Sequence, residues 1–149
     1  MASSLVSQNP RKATQATIDP LRSSIMRAVR SKDTLPELRV RSFIHSLGCR
    51  FRLHRKDLPG CPDLVFPATK KALFVHGCFW HGHQCKRGNR VPKTRTEYWT
   101  GKISRNRERD VHAIGNLRAL GWTTMLIWEC ELQADFEAVQ GRIRKFLSI

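Results

Sequence analysis

Acidic side chains are scarce in this chain: 12 Asp and Glu stand against 27 Lys and Arg in 149 residues, a net charge of +15. The surplus is spread along the sequence instead of sitting in one tail, which suits a polyanion. Long apolar runs are absent as well. None approaches the roughly 18 to 20 residues needed to span a bilayer, and the first 20 residues lack the apolar stretch of a secretory signal. Cysteine is present, but as an odd number, five. With no export signal, this argues against a disulfide framework, reduced thiols are expected, and metal binding becomes the open question.

The length suits one domain with its own core. Residues 1–20 read as a flexible tail and 21–149 as the single folded unit. A helix is expected over residues 20–30, with Leu21, Ile25, Met26 and Val29 on one side and basic residues on the other. Thr34-Leu-Pro-Glu37 has capping-box spacing with proline in the first turn, so a second helix runs from there to Gly48. Phe51 and Leu53 alternate with basic residues as a strand. Asp63–Phe66 and Lys71–His76 are apolar strands joined by a tight Pro67–Lys70 connection, antiparallel to one another. Thr94-Arg-Thr-Glu97 repeats the capping-box spacing ahead of a helix to about Leu120, with Ile103, Val111, Ile114 and Leu117 inward. Trp122–Trp128 reads as a central strand, its tryptophans in the core. Asp135 caps a final amphipathic helix bearing Phe136, Val139, Ile143 and Phe146. The fold class that follows is an α/β or α+β sandwich of two or three layers, a short mixed sheet with helices before and after it.

The densest chemistry lies in His76-Gly-Cys-Phe-Trp-His-Gly-His-Gln-Cys85, which holds three of the six histidines and two of the five cysteines. Zn²⁺ takes four thiolate or imidazole ligands in a tetrahedron, and Gly77 and Gly82 let the loop fold back to bring Cys78, His83 and Cys85 together. The spacing from Cys78 to His81 would serve too, so which histidine binds stays open. Cys130 supplies the fourth ligand if its strand runs beside the one ending at His76. Four protein ligands leave no open position, which makes such a site structural. Cys49 and Cys61 read as packing and turn residues. Phe79 and Trp80 are adjacent in a polar, glycine-flanked loop, where both cannot enter one face of a sheet, and they read as contacts to a nucleic acid.

Pro59-Gly-Cys-Pro-Asp63 places a carboxylate at a strand start, where burial is costly unless a cation or metal pairs with it. His76 lies one hairpin away on the same rim. Glu37 is a possible third member, although as a capping-box residue it has an equally good structural role. Cutting a phosphodiester needs a positioned water, neutralised oxygens and a protonated leaving group. Asp63 suits Mg²⁺, and His76 and His81 suit proton movement or donation to the scissile phosphate near neutral pH.

With these residues assembled, the chain resembles the very-short-patch mismatch repair endonucleases over roughly residues 22–132. The resemblance is carried by Met26-Arg-Ala, Ser31-Lys-Asp-Thr34, Leu58-Pro-Gly-Cys-Pro-Asp-Leu-Val65, His76-Gly-Cys-Phe-Trp-His81, His83 with Cys85, Thr94-Arg-Thr-Glu-Tyr-Trp99, Glu108-Arg-Asp110 and Ile127-Trp-Glu-Cys130. It implies a restriction-endonuclease-like three-layer fold with a structural zinc held by Cys78, His83, Cys85 and Cys130. It implies Asp63 as the Mg²⁺ ligand, helped by the main-chain carbonyl of Val75, with His76 and His81 catalytic and Glu37 close by. Phe79, Trp80 and Trp99 match aromatics that enter the base stack beside a mismatch, where unstacking costs least. Met26, Arg27, Arg30, Lys32 and Arg95 are the further DNA contacts expected.

The implied activity is strand-specific nicking 5′ to the T of a T·G mismatch left by deamination of 5-methylcytosine. It would be performed by a cytoplasmic, nucleoid-associated bacterial monomer, linked functionally to a cytosine-5 DNA methylase and to general mismatch-repair proteins. Val75 stands where the family typically has Thr, and Gly82 replaces a histidine. The acid-x-Lys half-motif of the wider nuclease superfamily is missing. Competing readings are a same-fold nuclease with another mismatch or flanking preference, and a non-catalytic zinc-stapled DNA-binding module. A zinc nucleobase deaminase is excluded, because no His-x-Glu is followed by Pro-Cys-x-x-Cys.

Overall fold

The computed structural model describes residues 32–149. The helix expected over residues 20–30, and with it Met26, Arg27 and Arg30, lies outside them. The element order is α1 (Leu35–Ser46), β1 (Arg52–Leu53), β2 (Leu64–Phe66), a 3₁₀ turn (Pro67–Thr69), β3 (Lys71–His76), α2 (Thr96–Ala119), β4 (Thr123–Trp128), α3 (Glu129–Ala134) and α4 (Phe136–Leu147). Thr34 caps α1 as its spacing predicts, accepting the Glu37 amide, and Asp135 caps α4 by accepting the Ala138 amide at 3.0 Å. No helix among the described residues is long and apolar enough to cross a membrane.

The four strands form one mixed sheet in the order β1-β2-β3-β4, antiparallel except for the β3/β4 pair. Strand alternation sends Leu73, Val75, Met125 and Ile127 to one face, against Val40 and Ile44 of α1 and Val139 and Ile143 of α4. Ala72, Phe74, Leu126 and Trp122 turn to the other face, against Leu117 and Ile114 of α2. Helices therefore cover both faces. The parallel register pairs Val75 with Ile127 and His76 with Trp128, so both strands carry their C-terminal ends to the same rim. Ligand sites in parallel sheets collect at such rims because the loops that leave them diverge.

Four expectations are corrected. β4 is the edge strand of the sheet, not a central one. Leu53 is 40 % exposed because β1 is only two residues of edge strand. The long helix starts at Thr96 with Arg95 at φ +55°, because the Thr96 hydroxyl donates to the Pro92 carbonyl at 2.8 Å and Thr94 does not act as the cap. Val111 is 72 % exposed. The inward stripe of α2 runs through Ile103, Asn106, Asp110, Ala113 and Leu117, alternating steps of three and four, so two polar residues occupy the places an apolar pattern would assign.

Candidate active site and metal centre

Asp63 is positioned by the turn before it. Gly60 takes φ +74°, and a Cβ there would lie 2.5 Å from Ala113 Cβ, so only glycine lets the turn press this closely on α2. Cys61 follows in the left-handed region as a turn residue, and the buried Pro62 feeds the chain into β2. The Asp63 carboxylate accepts the Val75 amide at 2.7 Å, which ties the end of the turn to β3 one residue before His76. Burial, joined by the nearby negative charge of Glu37, pushes the Asp63 carboxyl up to about 7 against the opposing pull of the Val75 amide. A carboxylate so placed is one that a bound cation would stabilise.

Glu37 is buried at 3 % exposure. It takes part in the α1 cap, accepting from the Thr34 hydroxyl and from the Asp33 amide. It also faces the site through His54, whose Nε2 is 3.7 Å from Glu37 Oε2 and whose Nδ1 is 3.9 Å from Asp63 Oδ1. Arg41 closes this flank, 2.9 Å from Asp33 and 3.6 Å from Glu37.

His76 and His81 stack, ring centroids 3.7 Å apart and planes 6° from parallel. His81 Nδ1 lies 2.6 Å from Asp110 Oδ2, close enough to donate a strong charge-assisted hydrogen bond. With the proton on Nδ1, the neutral ring presents Nε2 as an acceptor. Burial, reinforced by the neighbouring His81, pulls His76 down to about 4, so that ring is neutral near pH 7. Its Nδ1 is buried, has no hydrogen-bond partner among the described residues, and sits 4.0 Å from Asp110. Sequence reasoning noted Asp110 only as part of a matching segment. The missed signal is its place on the inward stripe of an otherwise basic helix.

Cys78, His83, Cys85 and Cys130 offer one donor atom each, all within 4.8 Å of one another. Spacing alone left His81 open as a ligand; the structure turns His81 to Asp110 and His83 to the thiols. Two amides point at sulfur, Gly88 N–H to Cys85 at 3.3 Å and Cys130 N–H to Cys78 at 3.4 Å, the pattern that supports thiolates on a metal. The Gly88 amide draws the Cys85 thiol down to about 6, whereas burial pushes Cys78 up to about 12. Three thiols and an imidazole at this spacing fit a tetrahedral soft cation, and a cation removes the conflict between those two thiols. A Cβ on Gly88 would lie 1.9 Å from the His83 carbonyl oxygen. Gly88→Ala is therefore expected to strip any metal held here, read as metal released to a colorimetric chelator from purified protein.

Phe79, Trp80 and Trp99 form a half-buried cluster with centroids 5.1 to 5.8 Å apart. Asn106 donates to the Trp80 carbonyl at 2.9 Å and anchors the loop to α2. Lys102 Nζ stands over the Trp80 and Trp99 rings. Arg95 lies over Tyr98 and is exposed, as is Lys32. Of the tryptophans expected in the core, Trp122 packs there, but Trp128 leaves it to stack on His83.

The model of the family described as "DNA mismatch endonuclease Vsr" matches residues 16–87. A type II nicking enzyme, V.XorIIP of Xanthomonas oryzae pv. oryzae, is 54 % identical over 126 residues, 85 % of this chain and 91 % of the relative. The DNA mismatch endonuclease Vsr of Escherichia coli is 45 % identical, covering 85 % of this chain and 83 % of the relative. The nicking enzyme V.NmeAIP of Neisseria meningitidis is 42 % identical over 75 % of this chain and 79 % of its own length. An α/β scaffold with a partly buried acid and a His–Asp pair at one rim, in a chain so related, is a DNA endonuclease. More narrowly, the chain belongs to the Vsr DNA mismatch endonuclease family.

Proposed function

We propose that the protein is a Mg²⁺-dependent nickase that cleaves one strand 5′ to the T of a T·G mismatch and so starts very-short-patch repair of deaminated 5-methylcytosine. The observation that carries this reading is the convergence on one rim of Asp63, tied to β3 at Val75, and His81, bonded to Asp110 at 2.6 Å. A non-catalytic DNA-binding module has no use for a half-buried carboxylate beside an oriented imidazole. The four-stranded α/β sheet with helices on both faces agrees with a restriction-endonuclease-like core, and we take the three-thiol, one-imidazole set to hold a structural Zn²⁺.

Asp63 and the Val75 carbonyl are the candidate Mg²⁺ ligands, with Glu37 behind them. The ion, when bound, would neutralise charge that develops on the phosphate. His81 Nε2 accepts the proton of the attacking water, while Asp110 fixes its tautomer and stabilises the imidazolium that forms. His76 holds the His81 ring flat and supplies the second imidazole at the phosphate. Phe79, Trp80 and Trp99 enter the stack at the weak mismatched step, so the site is selected before a base edge is read. Met26, Arg27, Arg30, Lys32 and Arg95 contact the duplex. One strand and one site need one copy of the chain, acting as a monomer on the cytoplasmic nucleoid. The lesion links it to a cytosine-5 methylase and to general mismatch repair.

A proton on Asp63 competes with the ion. Since that carboxyl titrates at about 7, apparent Mg²⁺ affinity is expected to rise with pH up to that value and level off above it. Below it, the change should approach tenfold per pH unit, as calorimetric titration across the range would show. The substrate is tested with an end-labelled T·G duplex in a methylase-site context beside its matched control. A single nick 5′ to the T, with Mg²⁺ and only in the mismatch, is the expected result. Equal cutting of both duplexes would overturn mismatch specificity and leave the same-fold nuclease of other preference.

A further inference from the structure

Trp128 occupies a position that the chemistry above does not use. It is the register partner of His76 on the parallel β3/β4 pair, so its side chain emerges on the same sheet face, the one that α2 covers. One face of its ring lies against His83, centroids 4.2 Å apart and planes 19° from parallel. Its ring also meets His76 at 5.3 Å and 74°, an edge-to-face contact, and reaches His81 at 6.4 Å and 70°. Its backbone is fixed separately: the Trp128 amide donates to Glu131 at 3.0 Å in the first turn of α3, two residues before Cys130 enters the cysteine cluster. A bulky aromatic at a strand end would ordinarily fill the core, and this one instead fills the gap between the metal-ligand cluster and the histidine pair.

Asp110 anchors His81 at Nδ1, but His76 has no such tie. The His76 ring has no hydrogen-bond partner at Nδ1 among the described residues. Trp128 stands beside this pair: its centroid is 5.3 Å from His76 and 6.4 Å from His81, themselves 3.7 Å apart, so the large ring packs along the edges of both imidazoles and blocks them from sliding toward the cysteine cluster. His83 in turn is held by the cluster, its Nδ1 3.5 Å from Cys130 Sγ and its amide donating to the Cys78 carbonyl at 3.0 Å.

We propose that Trp128 is a positioning residue, a spacer braced on the His83 ring that packs along the edges of His76 and His81 and so sets where the stacked pair stands. The inference rests on the nickase reading for its kinetic consequence but not for its geometry. Chemistry at this site therefore depends on the order of the cysteine cluster through an aromatic contact, besides the shared loop.

The test uses the metal-loaded full chain with Trp128→Leu and Trp128→Phe. Leucine removes the flat face while staying apolar; phenylalanine restores a ring. Trp128→Leu is expected to keep its metal and bind a T·G duplex within about twofold of wild type. Its single-turnover nicking should drop by about 10- to 100-fold, the range for misaligned supporting groups, with displaced imidazole NMR signals of His76 and His81. Trp128→Phe should recover most of the rate and near-native signals. Unchanged rate and imidazole signals in Trp128→Leu would overturn the proposal. So would metal loss accounting for the whole defect, or a phenylalanine variant no better than leucine. Should Trp128→Leu not fold, the imidazole signals of Trp128→Phe decide, native-like or displaced. If the wild-type protein nicks no T·G duplex, the nickase reading fails, and the NMR comparison still judges the spacer by itself.

Discussion

Asp63→Ala is expected to lower single-turnover nicking of a T·G duplex by about a thousandfold or more while leaving duplex binding equal or tighter. A divalent ion polarising a phosphoryl oxygen contributes several kcal/mol, and about 4 kcal/mol corresponds to that factor at roughly 1.4 kcal/mol per tenfold. Binding moves the other way because a carboxylate facing phosphates repels them, and its removal from a chain of net charge +15 deletes only an unfavourable contact. The Asp63 carboxylate also accepts the Val75 amide at 2.7 Å, so alanine leaves a partly buried donor unpaired. Asp63→Asn keeps an acceptor there and isolates the charge, and it should be equally inactive. A gel-shift titration beside the nicking assay separates the two effects. Weakened binding with unchanged nicking in both variants would make Asp63 a structural residue only.

Cys78→Ser is expected to lose the metal and to destabilise the fold by on the order of 3 kcal/mol or more, since the free energy of a structural ion is folding free energy. For a domain of this size that is a fall of about 10 °C in Tm. Cys78 is wholly buried and its sulfur receives the Cys130 amide, so the residue ties the β3 loop to the start of α3. The damage cannot stay local, because His81 and His83 lie on that loop and His83 carries Trp128. Nicking should therefore fall with the metal. Thermal melts of wild type with and without a strong chelator, alongside the variant, check this: matching destabilisation in both is expected. A melt unmoved by chelation, with no zinc in the purified protein, would show that these four residues hold no ion.

Much of this site is legible in the sequence because its parts are local. Cys78 to Cys85 span eight residues with glycines between them, and Asp63 announces itself as an acid among prolines at a strand start in a chain with few acids. Cys130 was reachable by one topological step, a parallel β3/β4 pair, which the register bears out. What was hidden depends on contacts between distant elements. Asp110 looks like one more charge on a solvated helix until the loop places His81 against it, and an apolar pattern then puts Val111 inward in its stead. His54 has no motif around it and enters only because β1 lies beside β2. Trp128 was assigned to the core on a strand pattern, which gives the face correctly but not that three histidines occupy that end of it.

The position proposed for a catalytic divalent ion is tested most directly by supplying Fe²⁺ in place of Mg²⁺ and mapping where locally generated hydroxyl radicals cut the chain. Cuts close to Asp63 and to Val75, suppressed by excess Mg²⁺ and absent from Asp63→Ala, are expected. Cuts that lie elsewhere, or that persist at the same positions in Asp63→Ala, would contradict a metal-bearing aspartate beside the paired histidines.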